Sequence, residues 1–184
     1  MAVDGAGFMN QHAKYGALAA SLTLAGVASH ALPHVMGVST VGAVGMLAAA
    51  YLPKRYACIP VLATVAIVDA MSGFYALLAM SFVYLAHGLA TLSVSKPLVS
   101  IGVRSVGVAA VVNAVVFYLV SNLTPIAMGC YPNTAEGWLA CYVAGLPFLL
   151  KGILANVIYG GAAFGLIALL EKLDAHRILA PQRD

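Results

Sequence analysis

Six stretches of this chain are apolar over close to the length a helix needs to cross a bilayer, and they leave little sequence between them. A helix covers roughly 30 Å of hydrocarbon with about 20 residues. The stretches are 15–31, 35–52, 56–71, 74–92, 101–123 and 148–170. Leu32-Pro33 stops the first, Pro53-Lys54-Arg55 the second, Ser72-Gly73 the third and Thr124-Pro125 the fifth. Pro147 opens the sixth, and a charged tail from Glu171 closes it. Lipid offers a bare backbone no hydrogen-bond partner, so segments of this kind span as helices or not at all unless they close a barrel. The expected fold is therefore all-α, a polytopic bundle of about six transmembrane helices. Its organisation is a polar amino-terminal segment (1–14), one membrane domain (15–171) and a charged cytoplasmic tail (172–184). Short, Gly-rich and Pro-interrupted spans fit either broken helices around a cavity or a tightly packed bundle.

Composition removes other classes. The 184 residues hold nine Lys or Arg and six Asp or Glu, 8% charged, where soluble domains carry about 25%. Apolar residues make up 62%, the reverse of a disordered chain. Three Cys are too few for a disulfide scaffold. A net charge of +3 from scattered basic residues argues against nucleic acid as a partner. The Gly-rich start ahead of the first apolar stretch does not read as a cleavable secretory signal.

Basic residues orient the bundle. With the amino terminus inside, Lys14, Lys54, Arg55, Lys96, Arg104, Lys172, Arg177 and Arg183 all face the cytoplasm, and Lys151 alone lies near the outer face. The positive-inside rule selects that arrangement, with both termini cytoplasmic in a bacterial inner membrane. The longest outer connection, 122–147, is too apolar for a solvated loop. Asn133-Thr134-Ala135-Glu136 has the spacing of a capping box, and 137–145 then reads as a short interfacial helix carrying Trp138 and Tyr142. It would anchor the bundle or fold over it as a lid.

Asp69 is the sharpest chemical feature, an acid inside an apolar run. Such a residue ordinarily faces the bundle interior with a partner or a task. The alternative is a capping acid at a helix end. His30 and His34 flank Leu32-Pro33 on the outer side, and His87 lies within the fourth stretch. Two His four apart could share a metal. With Pro33 between them and no Cys or acid motif nearby, bonding to freed backbone carbonyls is the simpler role, and no metal or other cofactor is expected. Asn113, Asn122 and Asn156 suit interhelical amide bonds, and Asn122 could also line a pocket mouth. Lys151, in the first turn of the last helix, would snorkel outward or meet an anionic group. Cys130 and Cys141 could pair if the outer face is oxidising. There is no phosphate loop, no His-Glu-x-x-His and no Gly-x-Ser-x-Gly, so the chain does not read as an enzyme.

The residues 30–92, then Ser121-Asn122, Tyr131-Pro132, Gly137, Ala140-Cys141-Tyr142 and Pro147-Phe148, resemble an uncharacterised bacterial membrane family, a domain of unknown function. In size and hydropathy that family is similar to the substrate-binding S components of energy-coupling-factor (ECF) transporters. The resemblance implies an ECF S-component-like fold that binds a micronutrient at its outer face and leaves energy to a separate module.

The expectation is thus a membrane subunit binding a vitamin-like or other small molecule for uptake. Its ligand would contact Asp69, His30, His34, Asn122, Tyr131, Trp138 and Tyr142. Partners would be membrane lipid, a small-molecule ligand and a coupling subunit or larger complex. The coupling subunit would dock on small-residue faces such as Ala48-Ala49-Ala50 and Gly160-Gly161-Ala162-Ala163. The alternative is a structural or accessory subunit of a respiratory or photosynthetic assembly. A third class is a membrane enzyme or redox-linked metal carrier using His and Cys.

Overall fold

The computed structural model describes residues 5–31 and 38–179, with side chains described over 12–30 and 38–173. Among the described residues every regular element is helical. Six rods follow one another. They are α1 (Gly5–Ala31), α2 (Val41–Tyr51), α3 (Lys54–Ser72), α4 (Leu77–Ser93), α5 (Val103–Ser121) with its one-turn extension α6 (Leu123–Ala127), and α7 (Ala135–Ala155) running into α8 (Gly161–Leu179). A 3-10 turn at Pro97–Val99 links α4 to α5, and a π turn at Asn156–Gly160 joins α7 to α8.

Three of these helices are long and apolar enough to cross a membrane: Lys54–Ser72, Val103–Ala127 and Ala135–Leu173. The 11 residues of α2 and the 17 of α4 are apolar but shorter, about 16 and 26 Å at about 1.5 Å per residue. The second stretch therefore yields a helix well short of its apolar length. Its first residues lie partly outside the described ones, and its helix begins only after Ser39-Thr40.

What α2 lacks in length it gains in burial. It touches α1, α3, α4, α5, α7 and the π turn, and seven of its residues are buried. Small side chains permit this, because Gly and Ala let backbones approach closely enough for dispersion contacts over the whole helix face. Met46 and Ala49 of α2 join Val94, Leu98, Val106, Ala109, Ala110 and Phe164 in the main core. Tyr51 stacks on Phe164 with ring centroids 6.0 Å apart. A second cluster joins Val41 to Val61 and Val65 of α3. The expected docking face at Ala48-Ala49 is thus consumed inside the bundle, whereas Gly161 and Ala162 remain exposed. Large apolar residues cover the outside, among them Leu77, Val103, Leu139, Phe148 and Leu166. That surface suits lipid contact.

The outer connection differs from the expectation. The segment 137–145 is not a separate interfacial helix but the first part of α7, which passes through Pro147 without ending. A proline inside a helix frees one carbonyl, and in a membrane bundle neighbouring helices compensate. The carbonyl freed is that of Val143, four residues before Pro147. Beside it the Tyr118 hydroxyl of α5 donates to the Tyr142 carbonyl, and the Tyr142 hydroxyl donates back to the Leu119 carbonyl at 2.8 Å, which ties α7 to α5 next to the break. Lys151 consequently sits deep in α7 rather than in a first turn, with its ammonium 5.8 Å from the centre of the Phe148 ring. The cap is also shifted by one residue. Thr134 is the N-cap, accepting from the Gly137 amide at 3.2 Å, while Asn133 Oδ1 accepts from the Trp138 indole at 2.8 Å.

Candidate functional site

A cavity of about 280 Å³ lies among α2, α4, α5, α7 and the π turn. Its apolar wall includes Val41, Phe117, Phe148 and Leu149, and its polar wall includes Ser39, His87, Asn113, Ser121, Asn122 and Asn156. Among the described residues no Lys, Arg, Asp or Glu lines it.

The polar wall is assembled by close approach to α2. Gly42 and Gly45 share one face, three residues apart. A Cβ on Gly42 would fall 2.0 Å from Asn156 Oδ1, and one on Gly45 would fall 2.5 Å from Thr91 Oγ1. Glycine is required at both positions because the space is filled by another residue's polar group. Asn156 opens the π turn and is buried. Its Nδ2 donates to the Ala110 carbonyl at 3.1 Å and to Asn113 Oδ1 at 3.0 Å. This is an interhelical amide pair of the kind expected of Asn in a membrane helix. The π turn has a positional consequence. One extra residue per turn re-aims the side chains that follow, and such bulges recur at functional sites.

His87 reaches the cavity from α4. Its ring packs against Phe117 with centroids 4.4 Å apart, and it makes no hydrogen bond to any described residue. An imidazole enclosed in a helical bundle ordinarily spends its ring nitrogens on a carbonyl or another side chain. Thr91 Oγ1, Ser95 Oγ and Thr124 Oγ1 are also buried without a partner among the described residues.

Of the seven residues expected at the site, Asn122 lines this cavity. Its Nδ2 donates to the Tyr118 carbonyl at 2.8 Å, and its own carbonyl accepts from the Cys141 thiol at 3.4 Å. Tyr142 lies just behind the wall, bonded to α5 as described. Trp138 is exposed on the first turn of α7, and Tyr131 is half-buried in the loop before it. His30 lines a narrow crevice that shares Ser39 with the cavity, beside the Ser29–Thr40 hydroxyl pair. His34 lies outside the described residues.

Asp69 is in the last turn of α3, away from the cavity lining. An acid there is opposed by the helix dipole, so it is not a favourable cap. It lies instead beside Tyr84 of α4, and its Oδ2 is buried with no partner among the described residues. In the α3–α4 loop, burial and then the Asp69 charge push the Tyr75 phenol above its usual range.

Sequence reasoning left His87, Asn113 and Asn156 out of the site. Each was visible as a polar residue in an apolar run. What identifies them together is their convergence on Gly42 and Phe117, which requires knowing which helix faces meet. Cys58, Cys130 and Cys141 are all free thiols. No group of three or more His, Cys, Asp or Glu among the described residues could hold a metal. A groove of about 420 Å³ between α5 and α8 is lined, among the described residues, by Gly, Ala, Val, Ile and Phe. It offers no side-chain hydrogen bond.

No curated protein matches this chain, and no solved structure does. A family of unknown function, DUF6580, matches residues 10–178, nearly the whole bundle including the cavity, and the chain belongs to that family.

Proposed function

We propose that this protein is a membrane-embedded small-molecule-binding subunit that serves uptake, with energy supplied by a separate module. The observation that carries the reading is the polar cavity itself. Polar groups inside a membrane bundle are costly unless they are paired or used. Here an unpartnered imidazole and three amides converge on one hollow. Its volume, about 280 Å³, falls near the lower end of small-molecule sites, which run from about 300 to 1,000 Å³. The ligand is accordingly small. The cavity lies toward the end of the bundle where Asn122 and the α5–α7 connection sit, which we assign to the outer face of a bacterial inner membrane, with both termini in the cytoplasm. The exposed Gly161-Ala162 surface of α8 suits close docking of the energising module.

The test combines occupancy and physiology. Protein purified in mild detergent carries a stoichiometric small molecule detectable by native mass spectrometry, and deleting the gene lowers uptake of that molecule. Empty protein together with unchanged uptake across a nutrient panel would refute the reading.

A further inference from the structure

The cavity wall also constrains the charge of what it holds, an inference that rests on the uptake reading and sharpens it. We propose that the cavity selects an uncharged, planar, hydrogen-bonding molecule of heteroaromatic or aromatic-amide type, received by His87 and the Asn113–Asn156 pair, and that it rejects carboxylates and ammonium ions.

Charge comes first. Among the described residues no Lys, Arg, Asp or Glu lines the cavity, and the helix ends that reach it, the start of α2 at Val41-Gly42 and the end of α5 at Ser121, carry partial charges of opposite sign. An ion moved into such a space loses its hydration and finds no counter-charge, at a cost of several kcal/mol. A neutral polar molecule loses far less if its groups find partners. An imidazole is mostly uncharged at neutral pH even in water, so His87 does not change this balance.

Hydrogen bonding comes second. Both Asn156 Nδ2 protons are spent on Ala110 and Asn113, which leaves its Oδ1, set against Gly42, as an acceptor. His87 presents a ring whose nitrogens bond no described residue, one a donor and the other an acceptor in the neutral form. Asn122 and Ser121 add amide and hydroxyl groups at one end. This mixed donor and acceptor set matches an amide or a ring nitrogen beside an N–H. A set of donors alone would suit an anion instead.

Shape comes third. His87, Phe117 and Phe148 all bring aromatic rings to the lining, the first two packed as a tilted pair, and such rings favour a planar ligand that can stack over a branched one.

Benzamide, benzoate and benzamidinium are planar, nearly equal in size and differ in charge, so they isolate the selectivity. Each is titrated into the full-length protein in lipid nanodiscs and followed by ligand-observed NMR. Benzamide binds at least ten-fold tighter than either ion, and His87→Phe, which keeps the ring stack but removes the nitrogens, weakens it about ten-fold. His87→Gln, which restores a donor and an acceptor, recovers most of that loss if the Phe variant folds poorly. Benzoate or benzamidinium binding as tightly as benzamide overturns the charge selectivity while leaving the uptake reading standing. Failure of all three probes overturns the inference, and the uptake reading falls with it only if purified protein also carries no occupant.

Discussion

Gly42 shows how one missing methyl group can hold a polar site together. Its Cα lies against Asn156 Oδ1, and an added Cβ would need the space that oxygen occupies. Gly42→Ala must therefore push Asn156 off Asn113 and Ala110 or bend α2 away from the π turn. Overpacking of this kind costs about 1–3 kcal/mol, enough to outweigh the helix-propensity gain of about 1 kcal/mol from replacing a glycine. Gly107 is the matched control, a helical glycine on α5 with open space where a Cβ would go. Thermal unfolding in detergent is expected to show Gly42→Ala several degrees less stable than the parent and Gly107→Ala equal to it or slightly more stable. Asp69 gives a contrasting case. Asp69→Asn keeps the shape of the side chain beside Tyr84 and removes a charge that the helix dipole disfavours by about 0.3–1 kcal/mol. Because Asp69 does not line the cavity, the variant is expected to retain both its stability and any co-purifying ligand. A lost ligand would move the binding site toward α3. Asp69 drew attention in the sequence because its cost is local and visible. The worth of Gly42 depends wholly on a residue 114 positions away, and no one-dimensional pattern carries that pairing.

At the level of elements, the Pro and Gly breaks marked where the chain could turn but not where it does. Leu32-Pro33 follows the end of α1, and Pro53 does separate α2 from α3. Pro60 and Pro147, by contrast, both lie inside helices. The difference lies in what supports the helix around the proline. At Pro60 the Thr23 hydroxyl of α1 donates to the Pro60 carbonyl at 3.5 Å, and near Pro147 the hydroxyl of Tyr118 reaches α7 from a neighbouring helix. That support is tertiary, so apolar length alone divided α7 into a small outer helix and a later span. The π turn was equally invisible, since a bulge depends on which face must be presented on either side of it. Asn156 must point toward Asn113 while Phe164, two turns on, must reach Tyr51 and Val106. Deleting the half-exposed Val157 would convert the π turn to ordinary α-helix and remove the wide turn that lets Asn156 face Asn113 while Phe164 keeps its place in the core. The expected result is loss of the monodisperse peak in size-exclusion chromatography or a fall in unfolding temperature of more than ten degrees. Val157→Ala, which keeps the bulge, should behave as the parent does. If the deletion is as stable as the parent, the bulge has no role in joining the two contacts.

Across the whole molecule, side-chain contacts fix the up-and-down order of the rods and place the cations on it. The amino-terminal part of α1 meets the start of α3 through His12 Nδ1 and the Tyr56 hydroxyl, 3.2 Å apart. The far end of α1 meets the start of α2 through Ser29 and Thr40. The end of α2 meets the α4–α5 turn through Ala49 and Leu98, and meets α8 through Tyr51 and Phe164. The end of α5 meets the start of α7 through Asn122 and Cys141. These pairings set His12, Tyr56, Tyr51, Leu98 and Phe164 toward one end of the bundle, and Ser29, Thr40, Asn122 and Cys141 toward the other. Lys14, Lys54, Arg55, Lys96, Arg104 and Lys172 all belong to segments at the first end, and each is exposed. The basic asymmetry counted along the sequence thus persists in three dimensions, although two of the expected spans proved short, because charge bias depends only on which connections share an end. The positive-inside rule disfavours translocating an end so rich in basic residues. A carboxy-terminal green fluorescent protein fusion is therefore expected to fluoresce and the matching alkaline phosphatase fusion to be inactive. Alkaline phosphatase inserted after Pro132, at the opposite end, should be active. The reverse pattern would turn the bundle over, and the cavity mouth near Asn122 would then open to the cytoplasm, where a subunit serving uptake has no use for it.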